Sequence, residues 1–135
     1  YYVRQKMHET GVDLFLDIHG DEEIPFVFVA GTEGVPSYNQ RIADLEQRFK
    51  TAFKAASPDF QDEHGYDKDA PGQANLGLAT PYVGETFGCL AYTLEMPFTD
   101  NHNWPDDDFG WNGQRSLRLG EAALSPILAV LRYLR

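Results

Sequence analysis

Apolar and polar positions recur with two different periods along the chain, and the changes of period mark the elements. From Val12 to His19 (VDLFLDIH) β-forming residues are bounded by glycines. On a strand, Leu14, Leu16 and Ile18 share one face, and Asp13, Phe15, Asp17 and His19 share the other. Pro25 to Ala30 (PFVFVA) predicts a second short strand, apolar on both faces as in a covered sheet. Cys89 to Met96 (CLAYTLEM) predicts a third. A helical period opens at Pro36-Ser37 and runs to about Ala56, with Ile42, Leu45, Phe49 and Phe53 on one face. Ser57-Pro58 stops it. Residues 1 to 10 read as the end of a helix closed by Gly11. Leu117 to Leu134 reads as a long amphipathic helix with apolar positions at 117, 124, 127, 128, 131 and 134, and a kink at Pro126. Residues 58 to 75, the stretch around Tyr82 and the acidic run Asp100 to Asp108 read as loops.

Strands alternating with helices, and strands apolar on both faces, indicate the α/β class. There is no internal repeat and no low-complexity linker. Three strands are few for an α/β domain, and the chain opens on Tyr1-Tyr2-Val3-Arg4 without an initiator Met. The expectation is a single region, residues 1–135, that forms part of a larger domain.

Composition narrows the function classes. The 135 residues are 42% hydrophobic and 13% aromatic, enough to bury a core rather than stay disordered. The formal net charge of −10 repels phosphate backbones and argues against nucleic acid as a partner. No apolar run approaches the roughly 20 residues needed to span a bilayer, so no membrane role is expected. Cys89 is the one cysteine, which excludes an intrachain disulfide and a cysteine-based zinc knuckle. A reducing, cytoplasmic setting fits.

Four residues stand out as candidate chemistry. His19 closes a buried strand and precedes Gly20, Asp21 and Glu22. Functional groups collect where strands of α/β sheets leave the core, so this imidazole is placed to reach a metal such as zinc or simply to bond a neighbouring carbonyl. Glu95 lies late in an apolar strand, before Met96-Pro97. A carboxylate there needs a partner or a raised pKa, the environment of a general base; an arginine-paired or exposed strand-end glutamate is the plainer alternative. Tyr82, 13 residues before Glu95, could donate to a developing oxyanion or serve as packing. Asp17 shares a strand face with His19 and could orient its ring or be a buried structural carboxylate.

Together these segments resemble the zinc carboxypeptidase family. DLFLDIHGDE resembles the strand delivering the third zinc ligand, TLEMPF the strand with the catalytic glutamate, and ATPYV the loop with a substrate-contacting tyrosine. The separation of 76 residues between His19 and Glu95 is similar to the family's spacing, and the wording HGDE and TLEMPF is most like the bacterial branch related to cytosolic carboxypeptidases. The resemblance covers residues 11 to 134, most of the chain. It implies a mixed sheet flanked by helices, forming the C-terminal part of the catalytic domain. It implies zinc as cofactor and the C-terminus of a peptide or protein as substrate, cleaved by a zinc-activated water. His19 would be the third ligand, Glu95 the general base, and Tyr82 a contact to the substrate's terminal region. The family's first two ligands form an H-x-x-E motif, and with the residues gripping the substrate carboxylate they would precede Tyr1. This segment alone should then bind zinc poorly and hydrolyse nothing.

A rival register uses His19-Gly20-Asp21-Glu22 itself as H-x-x-E, similar to the aspartoacylase and succinylglutamate desuccinylase enzymes, with His64 or His102 as third ligand. A third reading is a non-catalytic α/β binding module. His8 and Glu9 are adjacent on a helix end and diverge, so they make a poor metal pair. Cys89 reads as a small core residue. The serines lack a G-x-S-x-G context, and no glycine-rich phosphate loop is present.

Overall fold

The computed structural model describes residues 2–134, so Tyr1, expected within the first helix, lies outside the described residues. In order, the elements are α1 (Tyr2–Thr10), β1 (Leu14–Asp21), β2 (Phe28–Ala30), α2 (Gln40–Ala56), α3 (Ala79–Phe87), β3 (Leu90–Pro97), α4 (Gly113–Ala122) and α5 (Leu124–Leu131). The strands form one sheet in the order β1-β3-β2. β1 pairs parallel to β3 and β2 pairs antiparallel to it, so the sheet is mixed and the class is α/β.

The sheet separates two apolar layers. On one side Leu90, Tyr92 and Leu94 of β3 join Ile42, Leu45, Phe49 and Phe53 of α2 and Leu119, Ala123 and Val130 of α4 and α5. On the other, Ala91 and Cys89 meet Val83 of α3, with Phe15, Val12 and Met7 packed around them. The strand period of two sends alternate residues of β3 to the two layers. Gly11, at φ 75°, closes α1 in the left-handed conformation, its N–H bonded to the Met7 carbonyl.

Several boundaries differ from the sequence reading. α2 starts at Gln40, because the Asn39 side chain caps it by accepting from the Ile42 N–H at 3.2 Å. The stretch around Tyr82, read as loop, is helix α3, closed by Gly88 at φ 58°. The C-terminal helix is two helices that meet at Ala123. Pro126 is the third residue of α5, in the first turn, where its missing N–H costs no intrahelical bond. Its apolar stripe also faces differently. Ile127 and Leu134 pack partly on the core, but Leu117, Leu124, Leu128 and Leu131 are exposed. The buried stripe is Leu119, Ala123, Pro126 and Val130, spaced by four, three and four. Its small members fit against the phenylalanines of α2, where a row of leucines would overfill the layer.

The long 98–112 loop is fixed by one buried cation. Arg115, 2% exposed, donates to Asp59, to Asp100 Oδ1 at 3.0 Å and to the carbonyl oxygens of Trp104 (2.6 Å) and Gly110 (3.4 Å). The fully buried Asn101 donates to the Asp59 carbonyl at 2.9 Å. The acidic loop is therefore anchored to a buried charge network through Asp100, while Asp107 and Asp108 stay exposed.

Candidate active site

β1 and β3 run in register, so His19 lies opposite Glu95 and Asp17 opposite Thr93. The period of two puts these four on the face that carries α3. Near the start of the strands that face is closed by Phe15, Ala91 and α3; toward their ends the apolar residues give way to these polar ones. A cleft of about 620 Å³ opens there. Its walls are the four strand residues, the end of β2 (Phe28 to Gly31), the loop from Asp62 to Asp69 and the start of α3 at Leu78 to Pro81. Thr80 and Thr93 join hydroxyls at 2.7 Å and fix α3 to β3 at the cleft wall.

Glu95 is 4% exposed. Its Oε1 accepts from the Tyr66 hydroxyl at 3.1 Å, while Oε2 is buried with no hydrogen-bond partner among the described residues. Burial pushes its pKa above the ordinary carboxylate value, and the Tyr66 hydrogen bond offsets only part of that. Glu95 is thus a buried carboxylate with one oxygen partnered, its pKa raised by burial, at the wall of a cleft.

His19, with half of its side chain exposed, is the sixth residue of β1 rather than its last. Its Nε2 lies 3.2 Å from Asp17 Oδ2. The contact is one of distance between ring and carboxylate, and it leaves Nδ1 as the ring nitrogen away from Asp17. Glu22 is exposed, and His64 and His102 flank Phe26, His64 stacked on its ring at 4.3 Å and His102 edge-on at 5.9 Å. Among the described residues no three His, Cys, Asp or Glu side chains form a group that could hold a metal. The donors of this chain therefore suit one ligand position at His19 but not a complete zinc site, and the rival set of His19, Glu22 and a loop histidine does not converge.

Tyr82 does not line the cleft. On α3 it turns to α1, where Arg4 donates to its hydroxyl at 3.0 Å, His8 Nε2 lies 3.1 Å away, and the Arg4 guanidinium sits 4.4 Å above its ring. The tyrosine at the cleft is Tyr66, which the sequence reading left in a charged loop. Its hydroxyl reaches both Glu95 and Asp21 Oδ2, the latter at 2.5 Å. Burial and the Asp21 contact push the phenol pKa up, while the same hydrogen bond holds the Asp21 carboxyl down. Asp21 is fixed by accepting from the N–H groups of Glu23 (2.8 Å) and Ile24 (2.6 Å). One signal was present: Tyr66 is the only tyrosine, tryptophan or phenylalanine between Gln61 and Asn75. Cys89 is buried, and its thiol is pushed up to about 11 by that burial, as suits a core residue.

No family model matches the chain. It is 42% identical over 132 residues to an uncharacterized protein of Zymomonas mobilis subsp. mobilis, covering 98% of this chain and 35% of that protein. A metallo-carboxypeptidase from Pseudomonas aeruginosa, solved in complex with (2-guanidinoethylmercapto)succinic acid, is 54% identical with a TM-score of 0.96, covering 99% of this chain and 36% of that one. The metallo-carboxypeptidase from Burkholderia cenocepacia is 52% identical with a TM-score of 0.91, covering 96% and 34%. The chain thus spans about a third of the length of the proteins it matches. Among the described residues no helix is long and apolar enough to cross a membrane. Over the third of their length that it spans, the chain is similar in sequence and in fold to these metallo-carboxypeptidases.

Proposed function

We propose that this chain carries the general base and one zinc ligand of an enzyme that removes the C-terminal residue of a peptide or protein. The observation that carries the reading is the Glu95 carboxylate: buried, raised in pKa, with an unpartnered Oε2, opposite His19 in a cleft. His19 would offer Nδ1 to zinc while Asp17 holds its other nitrogen, and the remaining ligands would come from outside this chain. Zinc, when bound, supplies a Lewis acid that polarises the scissile carbonyl and lowers the pKa of water.

Glu95 does the proton work. Its carboxylate takes a proton from the attacking water, and its raised pKa lets it hold that proton until the leaving amine accepts it. The Tyr66 hydroxyl keeps the carboxylate oriented from the Oε1 side. Tyr66 rather than Tyr82 is proposed as the tyrosine of the site, because Tyr66 lines the cleft and Tyr82 does not. The ligand in the Pseudomonas aeruginosa structure is a succinic acid derivative, which suits a site that reads a terminal carboxylate.

The test is Glu95→Gln in the zinc-loaded protein that contains this segment. Release of the last residue from a peptide with a free C-terminus should fall by about 10²–10⁴-fold, the usual worth of a positioned base. Unchanged release would end the assignment.

A further inference from the structure

Tyr66 reaches Glu95 from a loop, and loops are the mobile part of a fold. Here the approach is braced by a buried amide. Gln61 is 6% exposed. Its Nε2 donates to the carbonyls of Val27 (3.2 Å) and His64 (2.9 Å). Its Oε1 accepts from the N–H groups of Glu63 (2.8 Å) and His64 (2.7 Å). Its own N–H also bonds the Val27 carbonyl at 3.2 Å. One carboxamide therefore winds residues 61–64 into a turn and pins the turn to the segment that leads into β2. Two ring contacts extend the seam: His64 stacks on Phe26, and the Tyr66 ring meets Phe28 edge-on at 5.0 Å. Gly65 lies flat against Phe28, where a Cβ would fall 2.8 Å from the ring.

We propose that Gln61 is a positioning residue for Tyr66: its buried carboxamide seats the 61–66 segment so that the hydroxyl already stands at Glu95 and Asp21 before substrate binds. The inference rests on the reading of Glu95 as the base, but the placement it describes can be measured apart from catalysis. Gln61 provides two donors and two acceptances, a pattern that only an amide side chain supplies. Gln61→Glu keeps the size and the acceptors but removes both donors, leaving the carbonyls of Val27 and His64 facing a carboxylate.

Two readouts on the full-length protein, each with the circular dichroism spectrum as a check on folding, separate positioning from a merely structural role. The first is nitration of tyrosines by tetranitromethane, followed peptide by peptide, with N-acetyltyrosinamide as the reference for an unhindered phenol. In the parent Tyr66 should react far more slowly than that reference, because its hydroxyl is engaged by two carboxylates; Gln61→Glu should raise its rate several-fold toward it. The second is turnover in two backgrounds. Gln61→Glu should cost on the order of tenfold to a hundredfold, the penalty of a misplaced group, and close to nothing once Tyr66→Phe is present. Gly65→Ala, which pushes the same segment off Phe28, should reproduce both results and serves if Gln61→Glu does not fold. An unchanged Tyr66 nitration rate in the folded variants would overturn the proposal, as would an equal loss of turnover with and without the Tyr66 hydroxyl. A protein without carboxypeptidase activity would sink the reading of Glu95, while the nitration result would still decide the role of Gln61.

Discussion

The Tyr66 hydroxyl stands 2.5 Å from Asp21 Oδ2, and the same oxygen lies 3.1 Å from Glu95 Oε1. One proton is thus offered to two carboxylates at the ends of neighbouring strands. It satisfies half of Glu95 and leaves the other half available for chemistry.

Tyr66→Phe removes that donor without removing the ring that packs on Phe28. The folded state should lose about 1 kcal/mol, the net worth of such a hydrogen bond. Urea unfolding should show a lower midpoint with an unchanged slope. An unaltered midpoint would mean that the hydroxyl is satisfied as well by water.

Glu46 provides a pH test remote from His19. It is 4% exposed, with Tyr38 donating to its Oε2 at 2.8 Å, the Thr32 N–H near Oε1 at 3.5 Å, and Glu33, Lys50 and the Tyr92 phenol around it. Burial, then the Glu33 charge, raises its pKa above the ordinary 4.5. The folded state therefore holds this proton more tightly than the unfolded chain. Its stabilising contribution is full below that ordinary value and is lost as pH rises through the raised one. Asp21, Glu33 and Asp100 are shifted down and act in the opposite sense, losing stability as pH falls. The difference between Glu46→Gln and the parent isolates the one group. The variant should gain relative stability as pH rises from about 4 to 8, read from urea midpoints; a flat difference would refute the assignment.

Arg115 is the strongest single candidate for a structural failure. Arg115→Ala leaves Asp59 and the Trp104 carbonyl without their buried donor and should cost about 3–5 kcal/mol. Arg115→Lys should recover only part of this, because a point charge cannot serve four acceptors in a fork. Chemical denaturation followed by the fluorescence of Trp104 and Trp111 measures both.

His19 should hold zinc only in company. Purified as it stands, the chain is expected to retain well under one zinc per molecule after gel filtration, because among the described residues no group of three metal-binding side chains forms around its imidazole. A full equivalent that disappears in His19→Ala would show that these residues build a site by themselves.

The readable part of this fold was the part governed by short periods. Alternation placed His19 with Asp17 on one strand face, and the cost of burying a carboxylate singled out Glu95. Neither rule looks across the chain. Tyr66 lies 29 residues before Glu95, and only the seating of the 61–66 segment on Phe26–Phe28 brings it there. Tyr82 occupied a more suggestive sequence position, yet helical geometry turned it toward Arg4 and His8. The C-terminal leucines formed a genuine stripe, but a helical period cannot say which of two apolar stripes meets the core. That choice was made by the bulk of Phe49 and Phe53 on α2.

The in-register parallel pairing of β1 and β3 also ties the fidelity of folding to the integrity of the site. A slip of β1 by one residue would turn Leu14 and Leu16 out of the main core and carry His19 to the opposite side of the sheet. The misregistered molecule would be both unstable and chemically blank. Quality control that removes unstable chains therefore also removes those with a scrambled site, so the surviving population needs no separate safeguard for the meeting of His19 and Glu95.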